Sequence, residues 1–163
     1  NITTDTITLT QNFDDVQDIE TQVSFVSAKP EAVAAIVGGR FQVSNTSAAN
    51  TGASSYAQLD TAVIDISGRT ASITLNASST SGLEESGTYY DFAQAFYRID
   101  NGSWVSFGLE NGDTSGGAFT FQAAGLTGST LEVRWRAKTT STIESYYLDE
   151  LLVELDTILP PLS

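Results

Sequence analysis

Short runs of Val, Ile, Thr, Tyr and Phe recur along the chain between clusters of Gly, Ser, Asn and Asp, and within the runs apolar and polar residues tend to alternate. Alternation with a period of two marks strands that bury one face, whereas a helix repeats its apolar positions every three to four residues. The pattern predicts strands over Thr6–Thr10, Gln22–Val26, Arg40–Val43, Ser55–Leu59, Ala71–Ala77, Tyr90–Ile99, Ser103–Gly108, Ala118–Gln122, Leu131–Lys138 and Tyr147–Leu155. Pro30 to Val37 reads two ways, as a short helix with Pro30 in its first turn or as a strand. Many short strands at this spacing predict an all-β sandwich or barrel.

Two stretches fix local detail. Ile99-Asp100-Asn101-Gly102-Ser103-Trp104 predicts a hairpin, because Asn-Gly tolerates the positive backbone angles of a tight turn. In the strand before it, Ala93, Ala95, Tyr97 and Ile99 share one face and Phe92, Gln94, Phe96 and Arg98 the other. Leu131, Val133, Trp135 and Ala137 likewise form an inward face, which places Trp135 in the core, with Glu132, Arg134, Arg136 and Lys138 pointing out. Trp104, just after the hairpin, is balanced between packing and exposure.

Three segments carry a family resemblance: Leu59-Asp60-Thr61-Ala62-Val63-Ile64-Asp65-Ile66-Ser67-Gly68 with the following Ala71 to Leu75, the hairpin from Ala95 to Trp104, and Leu131 to Ala137 leading into Tyr146-Tyr147-Leu148-Asp149-Glu150-Leu151-Leu152-Val153. In order and type they resemble the MAM-like and galactose-binding-like jelly-roll domains of secreted bacterial proteins, a superfamily that includes carbohydrate-binding modules. Asn12-Phe13-Asp14-Asp15 resembles the early acidic element of such domains, while Asn101 and Glu150 depart from the family's Gly and Asp. The resemblance implies a two-sheet antiparallel sandwich over residues 1–157, secreted and extracellular, followed from 158 by a Pro-containing linker to a catalytic or surface domain. It also implies a structural calcium, Ca2+, held by Asp14 or Asp15 together with Asp149, with Asp5 as a further candidate.

Composition narrows the chemistry. The 163 residues suit one domain. The net charge of −13 repels phosphate backbones and anionic membranes, so neither nucleic acid nor membrane insertion is expected. With no His and no Cys, nucleophilic triads and His-ligated or Cys-ligated metals are excluded. Clustered carboxylates instead suit a hard cation such as calcium. Glu84-Glu85, Asp91, Glu110, Asp113 and Glu144 are the carboxylates open to glycosidase-type work, yet their spacing singles out no facing pair, and no catalytic residue is expected.

Four of the seven cationic side chains, Arg98, Arg134, Arg136 and Lys138, fall on outward strand faces and would form a basic stripe. Guanidinium forks pair with carboxylate or sulfate, and sugar rings lay their C–H faces on aromatic side chains. Phe92, Gln94, Phe96 and Trp104 beside that stripe therefore predict a site for an acidic polysaccharide, a uronate or sulfated galactan, on a monomeric, non-catalytic module. Tyr89, Tyr90 and Tyr146 are alternative platforms. Two other readings compete: cross-strand pairing of the stripe with Glu132, Glu144 or Glu154, and a structural or protein-docking domain of a secreted peptidase or adhesin.

Overall fold

The structure, a computed structural model, describes residues 4–47, 54–84, 90–112 and 114–158. Among these residues twelve strands run in chain order: β1 (Thr4–Gln11), β2 (Thr21–Val26), β3 (Val33–Ile36), β4 (Phe41–Ser44), β5 (Tyr56–Thr61), β6 (Ile64–Asp65), β7 (Arg69–Ser79), β8 (Phe92–Ile99), β9 (Val105–Asn111), β10 (Gly117–Leu126), β11 (Thr130–Lys138) and β12 (Ser145–Ile158). There is no helix among the described residues. Within Pro30 to Val37 a turn at Pro30-Glu31 leads into a strand, Val33–Ile36, and Ile64–Asp65 adds a short one that periodicity does not reveal.

The strands form two six-stranded antiparallel sheets, the all-β sandwich expected from the pattern. The back sheet runs β10-β7-β12-β4-β3, with β1 pairing β12 in line with β4. The front sheet runs β2-β5-β11-β8-β9, with β6 pairing β11 in line with β5. Pairing of Thr4 with Ile158 through Gln11 with Leu151 joins the first strand to the last.

Inward residues of both sheets alternate with outward ones, as burial on one face of a strand requires. Leu59 from β5, Leu131, Val133 and Trp135 from β11, and Ala93 and Ala95 from β8 meet Ile73, Leu75, Leu148, Leu151 and Val153 of the back sheet, all buried. Trp135 sits among aromatic rings of the opposite sheet, with centroids 6.3 Å from Phe119 and 6.1 Å from Phe121. The predicted parity of β8 and β11 is what the structure shows.

Tight turns differ in detail. The β8–β9 hairpin forms, but its corners are Asp100 and Asn101, with φ of 53° and 59°, one residue earlier than Asn-Gly suggests. Gly102 closes the turn by donating its N–H to the Ile99 carbonyl at 2.9 Å. Asp100 wins the corner because its carboxylate accepts the amides of Ser129 and Thr130, at 2.7 and 2.9 Å, tying the hairpin to the start of β11.

The β8–β9 register shifts between Ala95 and Phe96, inserting an extra residue on β9 and bringing Gly108 opposite Ala95. A Cβ at Gly108 would overlap the Phe121 ring, which packs on the bare backbone there. Gly108→Ala is therefore expected to cost about 1–3 kcal/mol, the usual range for overpacking, read as a lower midpoint in urea at unchanged slope.

Candidate functional site

The outward face of the front sheet collects the residues singled out by sequence. Cross-strand pairing sets Glu132 beside Arg98, Arg134 between Asp60 and Phe96, and Arg136 between Gln58 and Gln94. Lys138 pairs with Phe92 in the same ladder. Period-two alternation on three neighbouring strands thus places these groups in rows.

Two of the four cations are neutralised within the face. Arg98 donates to both oxygens of Glu132, at 2.6 and 3.2 Å. Arg134 grips Asp60 the same way, at 2.8 and 3.2 Å. The first pairing matches the cross-strand alternative; the second joins positions 74 apart, and its partner Asp60 was not foreseen. Arg136 meets a neutral partner, donating Nε–H to the Gln58 side-chain carbonyl at 2.9 Å. Burial lowers its pKa, opposed by Tyr56.

Aromatic rings interleave with the cations. The Trp104 ring, half-buried, folds back from the hairpin to lie 3.9 Å from the Arg134 guanidinium carbon and 4.6 Å from that of Arg98. Arg136 lies 4.7 Å from the Tyr56 ring centre and 4.8 Å from that of Phe96. Each such contact contributes about 0.5–1 kcal/mol at a partly exposed site, and the set holds otherwise flexible guanidiniums flat. Tyr56 is the site residue that sequence reasoning missed; its place as the first residue of β5, on the same parity as Gln58 and Asp60, would have found it.

Two expectations of this face need correction. Phe92 has the outward parity predicted but is only 3% exposed. Tyr90 stacks on it at 5.8 Å and Tyr56 meets it edge-on at 6.2 Å, so it supports the platform from below. Lys138 is fully buried, its Nζ 5.2 Å from the Tyr90 ring, and burial lowers its pKa against the pull of Asp91. Neither presents itself to a ligand. Gln94 bonds the Ser106 hydroxyl at 3.1 Å, and Tyr146 is buried, its hydroxyl accepting the Gly112 N–H.

The expected calcium ligands are placed apart in role. Asp14 and Asp15 are exposed in the turn after β1, where the Asn12 amide donates to Asp15 at 2.8 Å. Asp149 is the extra residue of a bulge in β12 and accepts the Ser78 hydroxyl at 3.2 Å; Asp5 is exposed on β1. Among the described residues these carboxylates form no group of three within 4.8 Å.

Such a group forms elsewhere: oxygens of Glu84, Asp91 and Glu144 lie within 4.8 Å of one another. The Glu84 N–H donates to Asp91 Oδ2 at 2.9 Å, and the Thr140 hydroxyl donates to Glu144 Oε1 at 3.1 Å. Burial, then the Glu84 carboxylate, pushes Asp91 up to about 8, and burial raises Glu144 too. Asp91 is fully buried and Glu144 6% exposed, so these acids cannot reach a glycosidic bond. Glu85, Tyr89, Asp113 and residues 159–163, where a linker was expected, lie outside the described residues, while Ile158 still belongs to β12.

No family model matches the chain, and no curated protein matches it in sequence. Solved structures do match in fold. A family 29 carbohydrate-binding module superposes with a TM-score of 0.53 at 6% identity, covering 93% of this chain and 89% of that one. A variant family 29 module complexed with mannohexaose gives 0.53 at 6%, over 93% and 92%. A cleaved adhesin domain of Lys-gingipain from Porphyromonas gingivalis gives 0.51 at 8%, over 82% and 90%. The chain shares with these proteins the architecture of the sandwich.

Proposed function

We propose that the chain is a non-catalytic module that binds polysaccharide on the outward face of its front sheet. The observation that carries the reading is the interleaving of Trp104, Phe96 and Tyr56 with Arg98, Arg134 and Arg136 on that one face. Flat rings take the apolar face of a pyranose, and immobilised guanidiniums present N–H groups to hydroxyls at little further entropic cost. Carbohydrate binding by modules of the same fold supports it.

The acidic preference narrows to one residue. Glu132 and Asp60 offset Arg98 and Arg134, and Lys138 is buried, so Arg136, facing a neutral amide, is the group that would take a uronate or sulfate. In this reading the chain works outside the cell, concentrating a covalently attached catalytic or surface domain on its substrate.

The test is electrophoresis through gels containing neutral β-glucan, β-mannan, a polyuronate or a sulfated galactan. The acidic gels should retard the chain most. Trp104→Ala should weaken retention about tenfold in every gel, equivalent to about 1.4 kcal/mol, and Arg136→Gln should remove only the acidic preference. A folded chain that migrates freely through the whole panel would falsify the reading.

A second reading has its own observation. Val23 and Phe25 on edge strand β2 and Ile36 on edge strand β3 pair with inward-facing neighbours yet are 39%, 49% and 57% exposed. The sandwich is open along that flank, an apolar edge suited to docking against protein. It becomes the better reading if no glycan is bound.

A further inference from the structure

Asp91 carries a buried oxygen that nothing satisfies. Its residue is fully buried, its Oδ2 accepts the Glu84 amide, and its Oδ1 has no hydrogen-bond partner. Glu84 Oε2 is a second buried oxygen in the same state. Orphaned buried acceptors are rare because each costs about 1–3 kcal/mol, more when charged. Here both belong to the trio of carboxylates that converges within 4.8 Å.

We propose that Glu84, Asp91 and Glu144 bind one divalent hard cation, with calcium the best fit, in the wall of the sandwich beside the C-terminal end of β11. The donor set is all oxygen, which suits calcium and disfavours zinc or copper. The charge balances as well: three carboxylates and the neighbouring Lys138 ammonium leave a net −2, which one divalent ion cancels. The site would tie the segment ahead of β8 to the turn ahead of β12, two stretches far apart in sequence. It is separate from the carbohydrate face and from Asp14, Asp15 and Asp149.

The test compares thermal unfolding in chelator and in calcium, with a calcium titration by calorimetry, for the natural chain, Asp91→Asn, Glu144→Gln and an Asp14→Asn, Asp15→Asn double variant. The natural chain should bind one calcium and gain about 5–10 °C in Tm at a hundredfold excess over Kd. Asp91→Asn and Glu144→Gln should weaken binding at least tenfold and lose that gain, while the double variant keeps both. In chelator, Asp91→Asn should melt no lower than the natural chain, since the neutral amide needs no proton to sit buried there and its carbonyl can still accept the Glu84 N–H; this shows that the variant folds. The proposal is overturned if calcium leaves Tm unchanged, if the double variant alone loses the effect, or if Asp91→Asn melts lower by the same amount with and without calcium.

Discussion

Trp135→Ala is expected to lower stability by about 3–5 kcal/mol, the range for removing a buried aromatic side chain. For a domain of this size that corresponds to a Tm roughly 6–20 °C lower. The residue is 1% exposed, inward on the central region of the front sheet, and its ring meets Phe119 and Phe121 from the opposite sheet. Among the described residues it is the largest fully buried side chain. Trp135→Phe separates packing from polarity: the indole Nε1 is buried without a hydrogen-bond partner, so phenylalanine loses volume but also sheds an unsatisfied donor. It should cost less than half as much as alanine. Urea titration followed by far-ultraviolet circular dichroism measures both, and equal losses for the two variants would show that ring volume at this position matters less than the packing implies.

That Trp135 could be placed from sequence follows from the regularity of its strand. Leu131, Val133, Trp135 and Ala137 alternate without a break, and β11 pairs with two neighbours, so nothing disturbs the parity. The same logic located the outward row Gln94, Phe96, Arg98. It failed where long-range contacts decide the outcome. Phe92 has the outward parity, yet Tyr90 and Tyr56 cover it, and periodicity within one strand carries no information about rings arriving from others. Alternation put Glu132 on the outward face of β11 and so among the acids offered to the stripe, but that Arg98 is its partner follows only from the β8–β11 register. Arg134 could not be paired with Asp60, since the β5–β11 register is set by the whole sandwich. Pro30 to Val37 stayed ambiguous because an edge strand with exposed Ile36 and Val37 lacks the one-sided burial that makes a strand readable. The carboxylate trio left a fainter trace: Asp91 sits between Tyr90 and Phe92, and Glu144 just before Ser145-Tyr146, acids embedded in apolar surroundings.

That embedding has a measurable consequence for the calcium-free chain. Asp91 is pushed up to about 8 in the folded state from 3.8, mainly by burial, so between those values the folded chain holds a proton that the unfolded chain has released. Stability must then fall as pH rises through this window, by up to about 1.4 kcal/mol per pH unit, and level off above about 8. Glu144, also raised, adds in the same direction. Lys138, itself lowered by burial, faces Asp91 and opposes part of the cost, while Tyr90 and Tyr146, both raised, stay neutral throughout. Asp65, whose amide and hydroxyl bonds from Ser67 lower its pKa, acts below 3.8 and outside the window. In chelator the Tm should therefore decline between about pH 5 and 8, and Asp91→Asn should flatten most of the decline. Calcium should reverse the trend, because the ion displaces the proton and binds more tightly as pH rises. A natural chain whose Tm in chelator is constant or rises from pH 5 to 8 would mean that Asp91 is ionised at neutral pH without a bound cation, and that Lys138 alone suffices to balance it.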